Sequence, residues 1–273
     1  MNEEGEAPLA KVRMTWVLGT GRTGTSLLYE ILRRLEPQLV CFQEPAPGPL
    51  LHFYSKFRCE GFAAPSFDRM ILRHLRDSRE RLFRRHKTAA QYVEINPFLF
   101  GLGDLLQKLF GKLRIVHMTR HPFTFISSSL NFTPVHPAGP MIHTPLWKLN
   151  AARVLGIPQP EWKKLKEAEK WAWRWVAINQ KILSFREADA PYFLLKYEDL
   201  TAPVQRRQKI LGSLFRFLEL KNGPPLEAGL FEKKYNASRN PGLSDPGLKK
   251  SILEICGPLL TVFDYEEALD SKA

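Results

Sequence analysis

Short apolar runs alternate with amphipathic stretches along most of this chain. The predicted strands are residues 12–18, 39–42, 91–95, 114–119 and 192–195. Apolar positions recur at helical spacing in residues 25–35, 69–87, 98–110, 168–185, 203–218 and 248–263. Short apolar strands that alternate with helices are typical of a buried parallel sheet. The pattern therefore predicts an α/β protein with a central parallel five-stranded sheet flanked by helices.

Two stretches interrupt this alternation. Residues 132–162 contain six prolines and show little periodicity, and residues 223–247 are similarly irregular. Loops of such length inside a compact domain are usually functional or disordered. Neither stretch reads as a linker, so we expect a single domain over residues 1–273, with a core at about 12–265. Residues 132–162 are expected to form an acceptor-binding or lid loop.

A glycine-rich turn joins the first predicted strand to the first predicted helix. Residues 16–28 read Trp-Val-Leu-Gly-Thr-Gly-Arg-Thr-Gly-Thr-Ser-Leu-Leu. Such a turn points backbone N–H groups and the positive end of a helix dipole at one small volume, which suits a phosphate or another tetrahedral anion. The turn therefore predicts a P-loop-like nucleotide-binding core, and the alternative is a glycine-rich turn without a ligand.

This turn also departs from the Walker A loop that it resembles. Gly19, Gly24 and Ser26 are in register with Gly-x-x-x-x-Gly-Lys-[Ser/Thr], but Thr25 stands where the lysine is expected. The nearest cation is Arg22, inside the loop. The missing lysine indicates a nucleotide-dependent reaction other than ATP or GTP hydrolysis.

A second candidate anion site follows the fourth predicted strand. Arg120 leaves the sheet at the same edge as the glycine-rich turn, and Ser128 comes about two helical turns later. An arginine and a serine can together form a charge-assisted phosphate site. Two phosphate sites at one sheet edge indicate a nucleotide phosphorylated at both ends of its ribose.

The two motifs resemble those of the sulfotransferase family that uses 3′-phosphoadenosine-5′-phosphosulfate (PAPS). The family's 5′-phosphosulfate motif, [Lys/Arg]-[Ser/Thr]-Gly-[Thr/Ser]-[Thr/Ser], is similar to residues 22–26, Arg-Thr-Gly-Thr-Ser. Its 3′-phosphate motif, Arg-[Asp/Asn/His]-Pro followed by a serine, is similar to residues 120–122 with Ser128. Residues 196–200 resemble its Tyr-Glu-Asp-Leu element, and residues 252–257 resemble the last helix of bacterial-type members.

The resemblance implies a co-substrate and its binding residues. It implies that PAPS donates a sulfuryl group to a hydroxyl acceptor by in-line displacement, without a metal. Arg22 is expected to contribute to catalysis as well as to binding. The residues implied to bind PAPS are Gly21, Arg22, Thr23, Gly24, Thr25, Ser26, Arg120, Ser128 and Arg239, the last in a basic loop that closes over the 3′-phosphate in relatives.

A hydroxyl acceptor needs a general base within hydrogen-bond reach. Glu44, at the end of the second strand, is the first candidate, because glycan-type members of the family often use a glutamate in a similar place. The alternative is a structural Glu44 that caps a helix or pairs with an arginine. Glu94 is the second candidate, although many relatives carry a lysine or Lys-x-His at that strand end. This departure leaves the choice between Glu44 and Glu94 open.

Composition and charge narrow the classes of partner. The chain carries 40 basic and 28 acidic residues, a formal net charge of +12, which favours anionic partners. Residues 69–87 hold much of the excess on an amphipathic helix, but its arginines are not interleaved with a series of aromatic residues as nucleic-acid stacking requires. We expect a small-molecule or carbohydrate acceptor and no nucleic acid, and the oligomeric state stays open.

The cysteines and the hydropathy of the chain indicate in which cellular compartment the protein is expected. The three cysteines lack C-x-x-C spacing and are odd in number, which favours buried thiols in a reducing compartment and argues against zinc. No run approaches 18 apolar residues, and the N-terminal residues are acidic, unlike a signal peptide. The expectation is a cytoplasmic protein without a membrane span.

Two other classes of function stay open at this point. A P-loop kinase or NTPase would explain the turn, but predicts a lysine at position 25 and a carboxylate that holds Mg²⁺ after an apolar strand. A non-enzymatic basic module that binds polyanions would explain the net charge, but not two anion motifs at matched sheet positions.

Overall fold

The computed structural model describes residues 9, 12–35, 39–87, 91–132, 144–220, 229–232 and 243–265. Contacts within the chain divide it into two compact units. Unit 1 comprises residues 1–119 and 181–235, and unit 2 comprises residues 120–180 and 236–273. The expectation of one domain stays a prediction.

Unit 1 is built on a five-stranded sheet in the order β2-β3-β1-β4-β5, with every neighbouring pair parallel. The α/β class with a central parallel five-stranded sheet is therefore confirmed. The strands are β1 (Met14–Gly19), β2 (Val40–Gln43), β3 (Tyr92–Ile95), β4 (Ile115–Thr119) and β5 (Tyr192–Lys196).

The strands of this sheet are apolar because both of its faces are covered. All six residues of β1 and all five of β4 are buried, as expected where helices lie on both sides of a parallel sheet. Val17, Val93, Val116 and Leu195 belong to one apolar core cluster together with residues of the surrounding helices. The sheet is thus the centre of the core of unit 1.

The carboxyl ends of these strands meet at one edge of the sheet. Gly19 is in register with Met118, Gln43 with Ile95, and Thr119 with Lys196. Open parallel sheets bind ligands at this edge. The register therefore brings the segments that follow β1 and β2 to the same side of the sheet as the carboxyl end of β4.

The helices agree with the predicted ones to within a few residues. The first helices of unit 1 are α1 (Thr25–Leu32), α2 (Gly48–Cys59), α3 (Pro65–Arg85) and α4 (Gly103–Phe110). Unit 2 contains α5 (Pro122–Leu130), α6 (Ala151–Leu155), α7 (Gln159–Lys164), most of α8 (Glu167–Glu187) and α12 (Pro246–Val262). The last part of α8 lies in unit 1, with α9 (Tyr197–Leu200), α10 (Val204–Phe217) and α11 (Gly229–Glu232).

Several elements differ from the sequence-based expectation. The helix α2 was not predicted, because prolines and a glycine at its start are typical of a loop. Residues 33–35 and 97–102 are 3₁₀-helical rather than α-helical. The irregular stretch 132–162 contains the two short helices α6 and α7, and its residues 133–143 lie outside the described part.

Unit 2 packs around one tryptophan of α8. Trp175 is fully buried, and its ring lies edge-on to Phe263 with ring centroids 5.7 Å apart. Asp245 caps α12, because its Oδ1 accepts hydrogen bonds from the N–H groups of Gly247 and Leu248 at 3.0 and 3.2 Å. Among the described residues, no helix is both long and apolar enough to span a membrane.

Candidate functional site

The turn between β1 and α1 has the backbone geometry of an anion-binding loop. Gly21, Arg22 and Gly24 adopt left-handed conformations with φ of 75°, 55° and 86°. Gly24 is also the residue before α1, whose first turn has no side-chain cap and no acidic residue. The loop therefore presents backbone N–H groups and the positive end of a helix dipole.

Two glycines of this turn are required by close contacts. A Cβ at Gly19 would lie 2.6 Å from the carbonyl oxygen of Met118, so a side chain there would push β1 and β4 apart. A Cβ at Gly24 would lie 2.7 Å from Cδ2 of Tyr197. Tyr197 opens the Tyr-Glu-Asp-Leu element, so the structure places this third sequence motif against the loop.

Two buried hydroxyls at this edge make no hydrogen bond within the described part of the chain. They are Oγ1 of Thr23, in the loop, and Oγ1 of Thr119, the last residue of β4, and both residues are almost fully buried. Buried hydroxyls are normally hydrogen-bonded, because leaving one unsatisfied costs about 1–3 kcal/mol. These two hydroxyls can still donate a hydrogen bond and lie beside a loop of backbone N–H groups, so they fit the oxygens of a bound phosphate or sulfate.

A side-chain hydrogen bond ties the end of β2 to the loop helix. Nε2 of Gln43 donates to Oγ of Ser26 at 3.2 Å. Glu44 follows directly, and its N–H donates to the carbonyl of Ile95 at 2.9 Å, which extends the pairing of β2 with β3. The residue next to the first candidate base is therefore in contact with α1.

Glu44 and Arg22 share an unusual backbone conformation. Glu44 has φ of 41°, and five non-glycine residues of the described part have positive φ. The other three, Asp189, Glu219 and Asp264, follow the ends of α8, α10 and α12, where a left-handed residue is ordinary. Among the described residues, only Arg22 and Glu44 carry this strain away from a helix end, and such strain clusters at functional sites.

The environment of the Glu44 carboxyl suits proton transfer. The residue is exposed, yet neighbouring protein atoms desolvate the carboxyl group and raise its pKa above the ordinary value for glutamate. No described residue forms an ion pair with it. A carboxyl with a raised pKa and no cationic partner is a better base than one neutralised by an arginine.

Glu94 lies in a different environment. Its side chain is fully buried, and its two oxygens accept hydrogen bonds from Nε (2.8 Å) and Nη2 of Arg79, which is also fully buried. Nδ2 of Asn96 donates to the same carboxylate at 3.2 Å. This ion pair accounts for both carboxylate oxygens, so the geometry favours Glu44 over Glu94 as the base.

Arg79 connects this ion pair to the Glu44 segment. Its Nη1 donates to the carbonyl of Ala46 at 3.4 Å and to Oγ of Ser78 at 2.9 Å. The sequence pattern placed Arg79 in a basic helix, and only the fold shows that it points inward while its neighbours Glu80 and Arg81 are accessible.

The second candidate anion motif lies in unit 2. Arg120 follows Thr119 of β4 in the chain, its Nε donates to Oγ1 of Thr124 at 3.1 Å, and its carbonyl accepts from Nε1 of Trp175 at 3.0 Å. Ser128 is buried in the second turn of α5. His121 caps that helix, since its Nδ1 accepts a hydrogen bond from the N–H of Phe123 at 3.3 Å.

The remaining predicted residues are placed as follows. Thr25 is buried in the first turn of α1, and Gly21 lies over Phe98, whose Cε1 would be 3.4 Å from an added Cβ. Arg239 lies outside the described residues. Thr119 and Gln43 were not among the predicted site residues. Each directly precedes one that was: Thr119 precedes Arg120, and Gln43 precedes Glu44.

Comparison with known proteins identifies the family. The sequence model described as "Sulfotransferase family" matches residues 15–221, most of the chain. This protein therefore belongs to the sulfotransferase family. No match was found among curated protein sequences.

One solved structure supports the fold. Sulfotransferase STF9 from Mycobacterium avium is similar at 14% identity with a TM-score of 0.52, over 94% of this chain and 78% of that one. The sulfotransferase domain of the olefin synthase from Synechococcus PCC 7002 is also 14% identical, with a TM-score of 0.49, over 94% of this chain and 98% of that one. At such identity, the likeness to STF9 bears on the fold alone.

Proposed function

We propose that this protein transfers a sulfuryl group from PAPS to a hydroxyl acceptor, with Glu44 as the general base. The observation that carries the proposal is the loop of residues 19–24, whose left-handed backbone and open Thr23 hydroxyl fit a tetrahedral anion. Family membership supports a sulfuryl donor, rather than a nucleoside triphosphate, as the bound anion.

The residues of the loop would hold and polarise the 5′-phosphosulfate. Backbone N–H groups of residues 23–26, the hydroxyls of Thr25 and Ser26, and the guanidinium of Arg22 supply donors to its oxygens. Fixed donors of this kind stabilise charge on the leaving group without having to reorganise during the reaction. The family resemblance implies that Arg120 and Ser128 bind the 3′-phosphate. It also implies that Arg239 belongs to the loop that covers this phosphate.

When PAPS is bound, the acceptor oxygen forms a bond to sulfur while the bond from sulfur to the bridging oxygen of the 5′-phosphate breaks. Glu44 takes the proton of the acceptor hydroxyl, and adenosine 3′,5′-bisphosphate leaves. The raised pKa of Glu44 favours this proton transfer. We also propose a cytoplasmic location, which suits three cysteines, Cys41, Cys59 and Cys256, that form no disulfide.

A thermal-melting series tests the nucleotide. Because a ligand that binds only the folded state stabilises it, adenosine 3′,5′-bisphosphate should raise the melting midpoint more than ATP with Mg²⁺ or heparin. A larger shift with ATP–Mg²⁺ would favour a kinase, and one with heparin alone a polyanion-binding protein. Transfer of ³⁵S from labelled PAPS to a hydroxyl compound then tests the reaction itself.

The Arg120→Ala variant tests the 3′-phosphate assignment. It should weaken binding of adenosine 3′,5′-bisphosphate by about 10- to 100-fold, because a charge-assisted hydrogen bond is worth about 1.5–3 kcal/mol. Binding of 5′-AMP, which lacks the 3′-phosphate, should change little. Equal losses for both nucleotides in calorimetry would remove Arg120 from this role.

A further inference from the structure

The solvent side of α3 and of the two residues after it is strongly cationic. Ile71, Leu75 and Phe83, on the other side of the helix, are buried. Seven exposed cations lie on the solvent side, and we call this set the α3 basic face: Arg69, Arg73, Arg76, Arg81, Arg84, Arg85 and Lys87. The first three recur at spacings of four and three residues, which places them in one row along the helix.

Two carboxylates of α3 pair with this face and leave most of its charge uncompensated. Arg73 pairs with Asp77 at 3.8 Å and Arg84 with Glu80 at 3.1 Å, and the two arginine side chains are 82% and 71% exposed. Ion pairs this exposed are weak. The other five cations form no ion pair or hydrogen bond with any residue that the structure describes. The α3 basic face is therefore a positive surface that attracts anions.

Exposed apolar residues adjoin the beginning of this helix. Residues 61–66, Gly-Phe-Ala-Ala-Pro-Ser, are exposed without interruption, and we call residues 62–65 the apolar tip. Phe62 in this tip is 50% exposed. Met70, which is 40% exposed, lies on the solvent side of α3 between Arg69 and Arg73. Exposed apolar side chains next to basic ones are typical of a surface that lies on a membrane.

Contacts with α2 hold the apolar tip beside the α3 basic face. The N–H of Phe62 donates to the carbonyl of Phe57 at 2.9 Å, and the two rings meet edge-on with centroids 5.8 Å apart. Nε of Arg58, at the end of α2, donates to Oδ1 of Asp68 in the first turn of α3 at 2.8 Å. Because the tip and the helix are already joined, binding to a surface through both requires little further ordering.

Charge and apolar exposure together select one kind of anionic partner. A polysaccharide or a duplex nucleic acid would use the cations but gain little from the apolar tip, whereas an anionic bilayer offers headgroups to the cations and an apolar interior to Phe62. The 21 residues of α3 extend over about 30 Å, so the face reaches many headgroups at once. We propose that the α3 basic face and the apolar tip bind the surface of an anionic lipid membrane. This peripheral binding is independent of the sulfuryl transfer proposed above.

Sedimentation with lipid vesicles tests the proposal. The full chain is mixed at physiological ionic strength with vesicles of pure phosphatidylcholine, which are neutral, and with vesicles of phosphatidylcholine and phosphatidylserine, which are anionic. We expect the protein to sediment with the anionic vesicles only and to be released by high salt, because salt screens the attraction between exposed charges. Binding to the anionic vesicles no stronger than to the neutral ones overturns the proposal.

Two variants of equal charge connect the binding to α3. The first replaces four of the unpaired cations: Arg69→Gln, Arg76→Gln, Arg81→Gln and Arg85→Gln. Its partition onto anionic vesicles should fall by about 100- to 1000-fold, with the melting midpoint nearly unchanged. The second is the matched control and removes four exposed lysines of unit 2: Lys163→Gln, Lys164→Gln, Lys249→Gln and Lys250→Gln. It should lose less than about tenfold. Equal losses in the two variants would make the attraction a property of the net charge and overturn the proposal.

Phe62→Ser distinguishes a membrane from a soluble polyanion. The variant should bind anionic vesicles about tenfold more weakly and raise the surface pressure of an anionic lipid monolayer less than the wild type, because it buries less apolar area in the interface. Val204→Ser is the control, since Val204 is also 50% exposed but lies on α10. A Phe62→Ser protein that binds vesicles and enters the monolayer like the wild type overturns the membrane assignment. Titration with heparin and with duplex RNA would then show which soluble polyanion the α3 basic face binds.

Discussion

At the scale of single residues, the contrast between Glu44 and Glu94 shows how surroundings decide what a carboxylate can do. Glu44 directly follows β2 and Glu94 lies within β3 of the same sheet, and either could have been the base on sequence grounds. Glu94 is buried in a bidentate pair with Arg79, whereas Glu44 has no ionic partner among the described residues and a raised pKa. A buried pair of this kind stabilises the fold only while both partners are present.

Exchange of Glu44 for glutamine should separate catalysis from binding. Glu44→Gln keeps the shape of the side chain but cannot accept a proton, so kcat should fall by about 10²- to 10⁴-fold. Affinity for adenosine 3′,5′-bisphosphate and the melting midpoint should change little. Single-turnover rates, nucleotide titration and melting curves on the same preparation check all three.

Glu94→Gln is the matched control. It leaves the buried Arg79 without a charged partner, so the free energy of unfolding should fall by about 3–5 kcal/mol. Loss of turnover in Glu94→Gln at unchanged stability, with an active Glu44→Gln enzyme, would transfer the role of base to Glu94.

At the scale of secondary-structure elements, Arg79 links α3 to β3 and to the segment that carries Glu44. Its guanidinium contacts the Glu94 carboxylate at 2.8 Å through Nε and the Ala46 carbonyl at 3.4 Å through Nη1. A lysine could satisfy Glu94 but not both groups, because it presents a single nitrogen instead of a planar fork.

Arg79→Lys should therefore act on the position of Glu44. We expect kcat to fall by about 10- to 100-fold through misplacement of the base, with affinity for adenosine 3′,5′-bisphosphate unchanged. The measurement is the single-turnover rate, with nucleotide affinity and the free energy of unfolding determined alongside. A less stable variant with normal kcat would give Arg79 a purely structural role.

The cap of α5 predicts a pH dependence of stability. Burial lowers the pKa of His121 to about 4, whereas an unfolded histidine titrates near 6.5. The unfolded state therefore binds a proton at a higher pH than the folded state, so this contribution is present above about pH 6.5 and is lost as the pH falls towards 4. The loss should approach about 3 kcal/mol.

His121→Asn isolates this contribution. Asparagine keeps an acceptor for the N–H of Phe123 and removes the titration. In denaturant unfolding between pH 7 and pH 4, the wild-type protein should lose more free energy of unfolding than the variant. Parallel pH profiles for the two proteins would show that His121 does not titrate in this range.

At the scale of the whole molecule, the positive net charge favours a sulfuryl transfer that needs no divalent metal. The chain has a formal net charge of +12, and the proposed site surrounds the leaving group with Arg22 and backbone N–H groups. A transferring sulfuryl group carries less charge than a γ-phosphoryl group, so fixed donors can stabilise it. We therefore expect ³⁵S transfer from PAPS to continue in EDTA. Loss of transfer in EDTA that Mg²⁺ restores would contradict this.

Periodicity determined the sheet of this protein almost completely. Each strand was predicted to within about two residues, because a strand covered on both faces needs an uninterrupted apolar run. The anion loop was also visible, since left-handed positions and close backbone approaches require glycine at fixed spacing, as at Gly19 and Gly24. The apolar runs and the glycine spacing each depend on residues close together in the chain, so a single sequence is enough to show them.

The tertiary structure decided what depends on neighbours distant in sequence. The sequence did not predict α2, because prolines and a glycine at its start are typical of a loop. It placed Arg79 on a solvated cationic helix, whereas the fold buries that residue against Glu94, fifteen residues later. The pKa of a carboxyl and the exposure of a ring depend on the atoms packed around them, and only the folded chain brings those atoms together.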